Sequence, residues 1–151
     1  MSTPSVSGTA GDPVGEVTQR RDRMQATLDE LQRVVDLDDN GDGQWRKAVA
    51  AALAEAAATW ERHVSGSEAP EGILADVVER EPRLVPLVDT LLAEHTEIRA
   101  LLERTNSTLA TLDPSAARQE VQAVADRFSR HHDLGAELIH HAYEVDLGGN
   151  G

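Results

Sequence analysis

Three histidines on apolar stripes are the residues of this chain whose type and spacing point most clearly to chemistry. His63, His95 and His131 each occupy a position, at helical spacing, where a core residue such as Leu or Ala is expected. A single histidine at such a position is usually structural, with its ring nitrogens bonded to neighbouring polar groups. Three imidazoles meeting in one core layer would instead suit a metal ion, because each brings polar atoms that need partners.

Carboxylates near these histidines extend the candidate set. In "HVSGSE" and "HDLGAE", Glu68 follows His63 and Glu137 follows His132 by the same five positions, which indicates two copies of one pattern. Five steps along a regular helix leave two side chains about 140° apart, so a local bulge at the shared glycine would be needed to join each pair. The predicted metal ligands are His63, Glu68, His95, His131 or His132, and Glu137.

The elements that must position these residues are helices. Ala, Leu, Glu and Arg dominate the chain, aromatic residues make up 3%, and almost no stretch alternates with period two, so the fold class is all-α. Apolar stripes predict four helices, and short loops predict an antiparallel up-down-up-down four-helix bundle over residues 14–147. Residues 1–13 are predicted to be disordered and residues 148–151 to be a flexible tail. The four helices are predicted near 16–35, 44–69, 82–112 and 114–145, with a linker holding at most a short turn at 71–82.

The heights of the three histidines along such a bundle agree. At about 1.5 Å per residue, each lies about 25 to 30 Å from the loop at the far end of its helix. At the same level the first helix offers Arg20 and Arg21 rather than an imidazole. One alternative to a metal ion is therefore an arginine at this level that pairs with Glu68 or Glu137 across the bundle.

Composition excludes several classes of function. The absence of cysteine excludes disulfides and thiolate metal sites, which leaves His, Asp and Glu as strong ligands. A net charge of -13 argues against nucleic acid or an anionic membrane as partner. Neither a signal peptide nor an apolar run of about 18 residues is present, so a cytoplasmic protein is expected. No serine nucleophile, phosphate loop or paired catalytic acid stands out, and the sequence does not point to an enzyme.

The segment "DLDDNGDGQWRK" at 36–47 resembles a calcium-binding loop but lacks its last ligand. Asp38, Asn40 and Asp42 fall at loop positions one, three and five. The twelfth position, which needs a bidentate glutamate, holds Val49, or Lys47 in the alternative register. The segment is therefore predicted to be a helix connection, with Asp42 available as an N-cap.

Three segments together resemble the hemerythrin-like proteins: "WERHVSGSEAP", "EPRLVPLVDTLLAEHTEIRALL" and "RHHDLGAELIHHAYEVDLGG". The similarity spans residues 20 to 149 and is closest to a bacterial branch with an Ala-Tyr-x-x-Asp-x-Gly tail. It implies a four-helix bundle that holds non-haem iron and binds dioxygen or responds to nitric oxide or peroxide. The family places a carboxylate four residues after the histidine, where this chain has Ser67 and Gly135.

Two hypotheses follow from this resemblance. The first is an iron-binding protein with a small diatomic ligand. Three imidazoles and two carboxylates suit one ferrous ion with open positions better than a di-iron pair. The second is a metal-free bundle that acts as an interaction or stress-associated module, with the histidines kept as a buried polar network.

Overall fold

The structure is a computed structural model that describes residues 13–143. Within this range the chain forms four long helices, one short helix and two 3-10 turns, with no strand. The helices are α1 (Pro13–Val35), α2 (Gln44–Glu68), α3 (Ile73–Arg80), α4 (Val85–Thr108) and α5 (Pro114–Tyr143), and the 3-10 turns are Pro82–Leu84 and Leu109–Thr111. The prediction of an all-α chain is confirmed, and its four long helices make a helical bundle. The predicted disordered start, apart from Pro13, and the predicted flexible tail lie outside the described residues.

The ends of the helices follow local capping chemistry. Asp113 accepts a hydrogen bond from the backbone N–H of Ala116 at 2.8 Å, and α5 begins at Pro114, as predicted. At the start of α2, Asp42 accepts from the N–H of Gln44 at 3.0 Å, while the cap position itself is Gly43 at a φ of 82°. Such a φ favours glycine, because a Cβ in the left-handed region clashes with the backbone.

The predicted linker at 71–82 is a helix, and the prediction of at most a short turn there is wrong. Helix α3 spans Ile73–Arg80 and buries Ile73, Leu74 and Val77, which share one helical face. That apolar face packs against the long helices, and this burial stabilises a helix too short to be stable alone. No helix of the described residues has the length and apolar character needed to cross a membrane.

The apolar core consists of two clusters with the histidines between them. The larger cluster includes Trp60, Ile98 and Phe128, and the smaller includes Leu91 and Leu138. Along α4 and α5, His95 and His131 lie between members of the two clusters. The predicted stripe of α2 is buried in full, at Trp45, Val49, Leu53, Ala56 and Trp60. The histidine layer is therefore enclosed by apolar packing on both sides.

Candidate metal centre

Three histidines from three helices meet in the core. His63 of α2, His95 of α4 and His131 of α5 each offer a ligand atom, and these atoms all lie within 4.8 Å of one another. The Nε2 atoms of His63 and His131 are 3.1 Å apart. Only 2% of His95 and 4% of His131 is exposed to solvent. The prediction that these side chains share one core layer is confirmed, and the three could hold a metal ion.

Two carboxylates hold the outer nitrogens of the buried imidazoles. The Nδ1 atom of His95 lies 2.5 Å from Glu68 Oε2, and the Nδ1 atom of His131 lies 2.6 Å from Glu94 Oε1. An ionised carboxylate only accepts hydrogen bonds, so each Nδ1–H donates and each Nε2 keeps its lone pair. A carboxylate on the far nitrogen is also the usual support of a metal-binding histidine, because it sets the tautomer and the ring orientation.

Trp60 contacts all three imidazoles and forms the apolar side of the cluster. Its ring centroid lies 5.1 Å from that of His63, 5.6 Å from that of His95 and 4.9 Å from that of His131. The indole N–H donates to the backbone carbonyl of His95 at 3.2 Å, and Phe128 packs against the indole at 5.0 Å between centroids. The rings are thus held by dense packing, and the fluorescence of Trp60 should respond to any change in the cluster.

Burial keeps these imidazoles neutral. It lowers the pKa of His131 to about 3, assisted by the neighbouring His95 and His132. Burial also lowers the pKa of His63 far below its ordinary value, with further contributions from the nearby histidines and from Arg20. For His95, burial lowers the pKa although the hydrogen bond to Glu68 opposes the shift. Neutral imidazole is the form that binds metal ions, so the cluster is ready for an ion at neutral pH.

A cavity of about 60 Å³ opens beside the cluster. One part of its wall is polar and includes the three clustered histidines, His132, Arg20, Arg21 and Ser67. The remainder is mostly apolar and comes from α1, α3, α4 and α5. This volume exceeds the roughly 10 to 15 Å³ that one water molecule needs, so the cavity has room for a small ligand.

The structure distinguishes between the two adjacent histidines that the sequence left open. His131 joins the cluster, whereas His132 is half-buried at the cavity wall, with its Nδ1 atom 3.9 Å from Asp133. The backbone carbonyl of His132 accepts a hydrogen bond from Arg21 at 3.0 Å. His132 therefore lines the cavity beside the cluster.

The two predicted carboxylates lie in different environments. Glu68 reaches the layer through His95, because it is the last residue of α2 and extends toward α4. Glu137 is exposed and lies 3.8 Å from His141, so the structure does not bring it to the cluster. The expected bulges are absent from the described helices, since α2 and α5 run without interruption through Gly66 and Gly135. A regular helix directs Glu137 away from the core face.

Glu94 contacts the histidine cluster, and the sequence did not reveal it. Its side chain is 15% exposed, and burial raises its pKa although Arg127 and Arg130 lower it. It precedes His95 in the chain but contacts His131 on the next helix. The spacing of residues within α4 does not identify Glu94 as a partner of His131, because this contact depends on how α4 and α5 pack.

Arg20 lies at the level of the histidines, as predicted, but without the predicted partners. Its nearest described carboxylate is Glu16, at 3.9 Å, and its side chain is 12% exposed. A Cβ at Gly66 would lie 2.7 Å from Arg20 Nη1, so this glycine leaves room for the guanidinium against α2. Arg20 is therefore packed into the cavity wall close to His63.

Comparison with known proteins yields no relative: no family model, no curated protein and no solved structure matches this chain. The chemistry of the site therefore rests on its own geometry. That geometry offers three neutral imidazoles in one layer, two of them held by carboxylates, next to a cavity that admits a small ligand.

Proposed function

We propose that this protein is a hemerythrin-like four-helix bundle that binds non-haem iron in its core and uses it to bind or sense dioxygen, nitric oxide or peroxide. His63, His95 and His131 would hold the ion. One observation carries the proposal: two of the clustered imidazoles have their Nδ1 atoms bonded to Glu68 and Glu94, which frees Nε2 for an ion.

Contacts between consecutive long helices support the antiparallel up-down arrangement of that fold. As the residue number increases along one helix, the number of its contact partner on the next helix decreases, which is the pattern of antiparallel helices. These contacts join Val34 to Trp45 and Thr27 to Thr59, Glu61 to Arg99 and Glu68 to His95, Glu97 to Arg127 and Glu94 to His131. Short connections between long helices favour the same topology.

The donor set favours one ion with open coordination positions. Two imidazole nitrogens bound to one ion at about 2.0 to 2.1 Å, and at right angles, would be about 2.8 to 3.0 Å apart. The observed separation between the Nε2 atoms of His63 and His131 is 3.1 Å. Because Glu68 and Glu94 are engaged at Nδ1 atoms, they act as positioning residues rather than as bridging ligands of a di-iron pair. Imidazole also suits zinc, copper and nickel, and the preference for iron comes from the family resemblance.

The protein's own contribution would be to bind, orient and exclude water. Met24, Leu91 and Leu138 are among the apolar residues that line the cavity, so a ligand beside the histidines would be partly desolvated. An iron ion held there would supply open positions for a small ligand. Trp60 and the two carboxylates keep the imidazoles in place while the ligand exchanges.

Metal analysis of three proteins tests the proposal. Wild type, His95→Ala and His140→Ala are purified from iron-replete cultures, and iron is measured per chain. His140 is an exposed histidine near the end of α5 and serves as the matched control. About one iron per chain is expected in the wild type and the control, and background in His95→Ala, because a three-nitrogen site loses one ligand. Background iron in all three proteins contradicts the proposal.

One observation favours a second candidate, a metal-free bundle that serves as an interaction or stress-associated module. The 3.1 Å separation between the Nε2 atoms of His63 and His131 is also a hydrogen-bond distance. His63 Nε2–H would donate to the lone pair of His131, and these two nitrogens would be paired without an ion. In that case His95→Ala lowers the free energy of unfolding, and its iron content equals that of the wild type.

A further inference from the structure

The cavity beside the histidines has an unusual charge for this protein. The chain has 27 acidic residues and a net charge of -13, yet the described residues that line the cavity include no Asp or Glu. They include two arginines, Arg20 and Arg21. The nearby carboxylates of Glu68 and Glu94 are already hydrogen-bonded, Glu68 to the Nδ1 atom of His95 and Glu94 to the Nδ1 atom of His131. An anion in the cavity would therefore not be repelled by a carboxylate of the described wall.

Arg20 is the arginine with unused hydrogen-bonding capacity. Its Nε atom is buried and, within the described part of the chain, has no hydrogen-bond partner. Its ion pair with Glu16 is long, at 3.9 Å, and burial lowers the pKa of its guanidinium. An arginine nevertheless stays protonated in a protein, so the positive charge persists. A buried donor without an acceptor costs free energy, and an acceptor that reaches this guanidinium from the cavity would recover part of it.

The size and polarity of the cavity limit the ligand. A volume of about 60 Å³ has room for a small ligand of a few non-hydrogen atoms. The mostly apolar wall lowers the local dielectric, which strengthens a hydrogen bond between a guanidinium and an anion. A small monovalent anion fits this volume and this wall, whereas a doubly charged anion would lose more hydration free energy on entering a mostly apolar cavity.

We propose that this cavity binds a small monovalent anion of the formate type, with Arg20 as its charge partner, beside the three-histidine cluster. This deepens the proposed function by naming a ligand class for the same site. The Arg20 guanidinium and the cavity are present without a metal ion, so anion binding is tested in the protein with and without iron. Iron in the cluster would add a second attraction for the same anion.

Formate and its neutral analogue formamide are the probes. Each is titrated by calorimetry, at constant ionic strength, into chelator-treated protein and into protein loaded anaerobically with iron(II). The proteins are wild type, Arg20→Gln, Arg20→Lys and Arg23→Gln. Arg23 is an exposed arginine three positions further along α1, and its substitution removes the same charge. Circular dichroism checks the fold, and the iron content of each sample is measured.

Saturable formate binding by the wild type is expected, with formamide at least about tenfold weaker because it lacks the charge. Arg20→Gln should weaken formate binding about tenfold or more, while Arg20→Lys keeps most of it and Arg23→Gln matches the wild type. The nuclear magnetic resonance signal of the Arg20 Nε–H is identified by its absence in Arg20→Lys. In the wild type this signal should shift as formate is added, and the shift should saturate at the same formate concentration as the calorimetric signal. This readout needs no folded Arg20→Gln.

Two results overturn the anion proposal. One is the absence of saturable formate binding by the wild type, both with and without iron. The other is formate binding that leaves the Arg20 Nε–H signal unmoved and is equal in Arg20→Gln and the wild type. Failure of the iron proposal is recognised separately, by background iron in the loaded wild type. In that event the chelator-treated protein alone decides the anion proposal.

Discussion

The Nδ1 atom of His131 lies 2.6 Å from Oε1 of Glu94, a residue of the neighbouring helix that is 37 positions earlier in the chain. Because the next residue, His95, is itself a member of the histidine cluster, α4 supplies one imidazole and the carboxylate that orients another. The pair couples the packing of α4 against α5 to the geometry of the site. Any displacement of α5 relative to α4 would rotate or release the imidazole of His131.

Replacing Glu94 with Gln should weaken metal binding without unfolding the protein. The amide keeps an acceptor oxygen but loses the charge that makes the imidazole a stronger ligand, and such changes typically reduce metal affinity about 10- to 100-fold. Competition with a chromophoric chelator measures the affinity. Glu97→Gln is the control, since Glu97 is exposed and pairs with Arg127 at 2.9 Å. Equal affinity in Glu94→Gln and the wild type would contradict the orienting role.

The metal-free protein should lose stability as the pH falls below about 6.5. The pKa of His131 falls from 6.5 in the unfolded chain to about 3 in the fold, so between these values the unfolded state binds more protons. The free energy of unfolding then decreases by about 1.4 kcal/mol per pH unit for each histidine held neutral. Urea unfolding at pH 7, 6, 5 and 4 measures the slope. His131→Gln should reduce it, and an unchanged slope would refute the assignment.

The segment 36–47 should not bind calcium. Asp42, at loop position five, accepts from the N–H of Gln44 at 3.0 Å, so its side chain serves the backbone of the turn. Val49, at the twelfth loop position, is fully buried. Titrating calcium while following the fluorescence of Trp45 in a Trp60→Phe background should show no saturable change below about 1 mM. Saturation at micromolar calcium would contradict this.

The four long helices and the common level of three histidines could be predicted from the sequence. Apolar spacing defines a helical stripe, and a constant rise of about 1.5 Å per residue converts residue number into height. Both quantities are local and need no knowledge of the neighbouring helix. For the same reason the cap at Asp113 could be anticipated, since it bonds to a backbone group within three residues, whereas the predicted cap at Asp42 is wrong because Gly43 holds that position.

Tertiary packing decided which polar groups complete the site. Height along an axis does not specify rotation about it, and neighbouring residues such as His131 and His132 differ by about 100° in direction. Only the docking of α5 against α4 placed His131 in the layer with Glu94, and left Glu137 exposed beside His141. The sequence by itself determined the helices and the level at which the imidazoles meet, because periodicity and rise are properties of one helix. The carboxylate partners and the arginine-lined cavity required the structure, because they depend on distances between helices far apart in the chain.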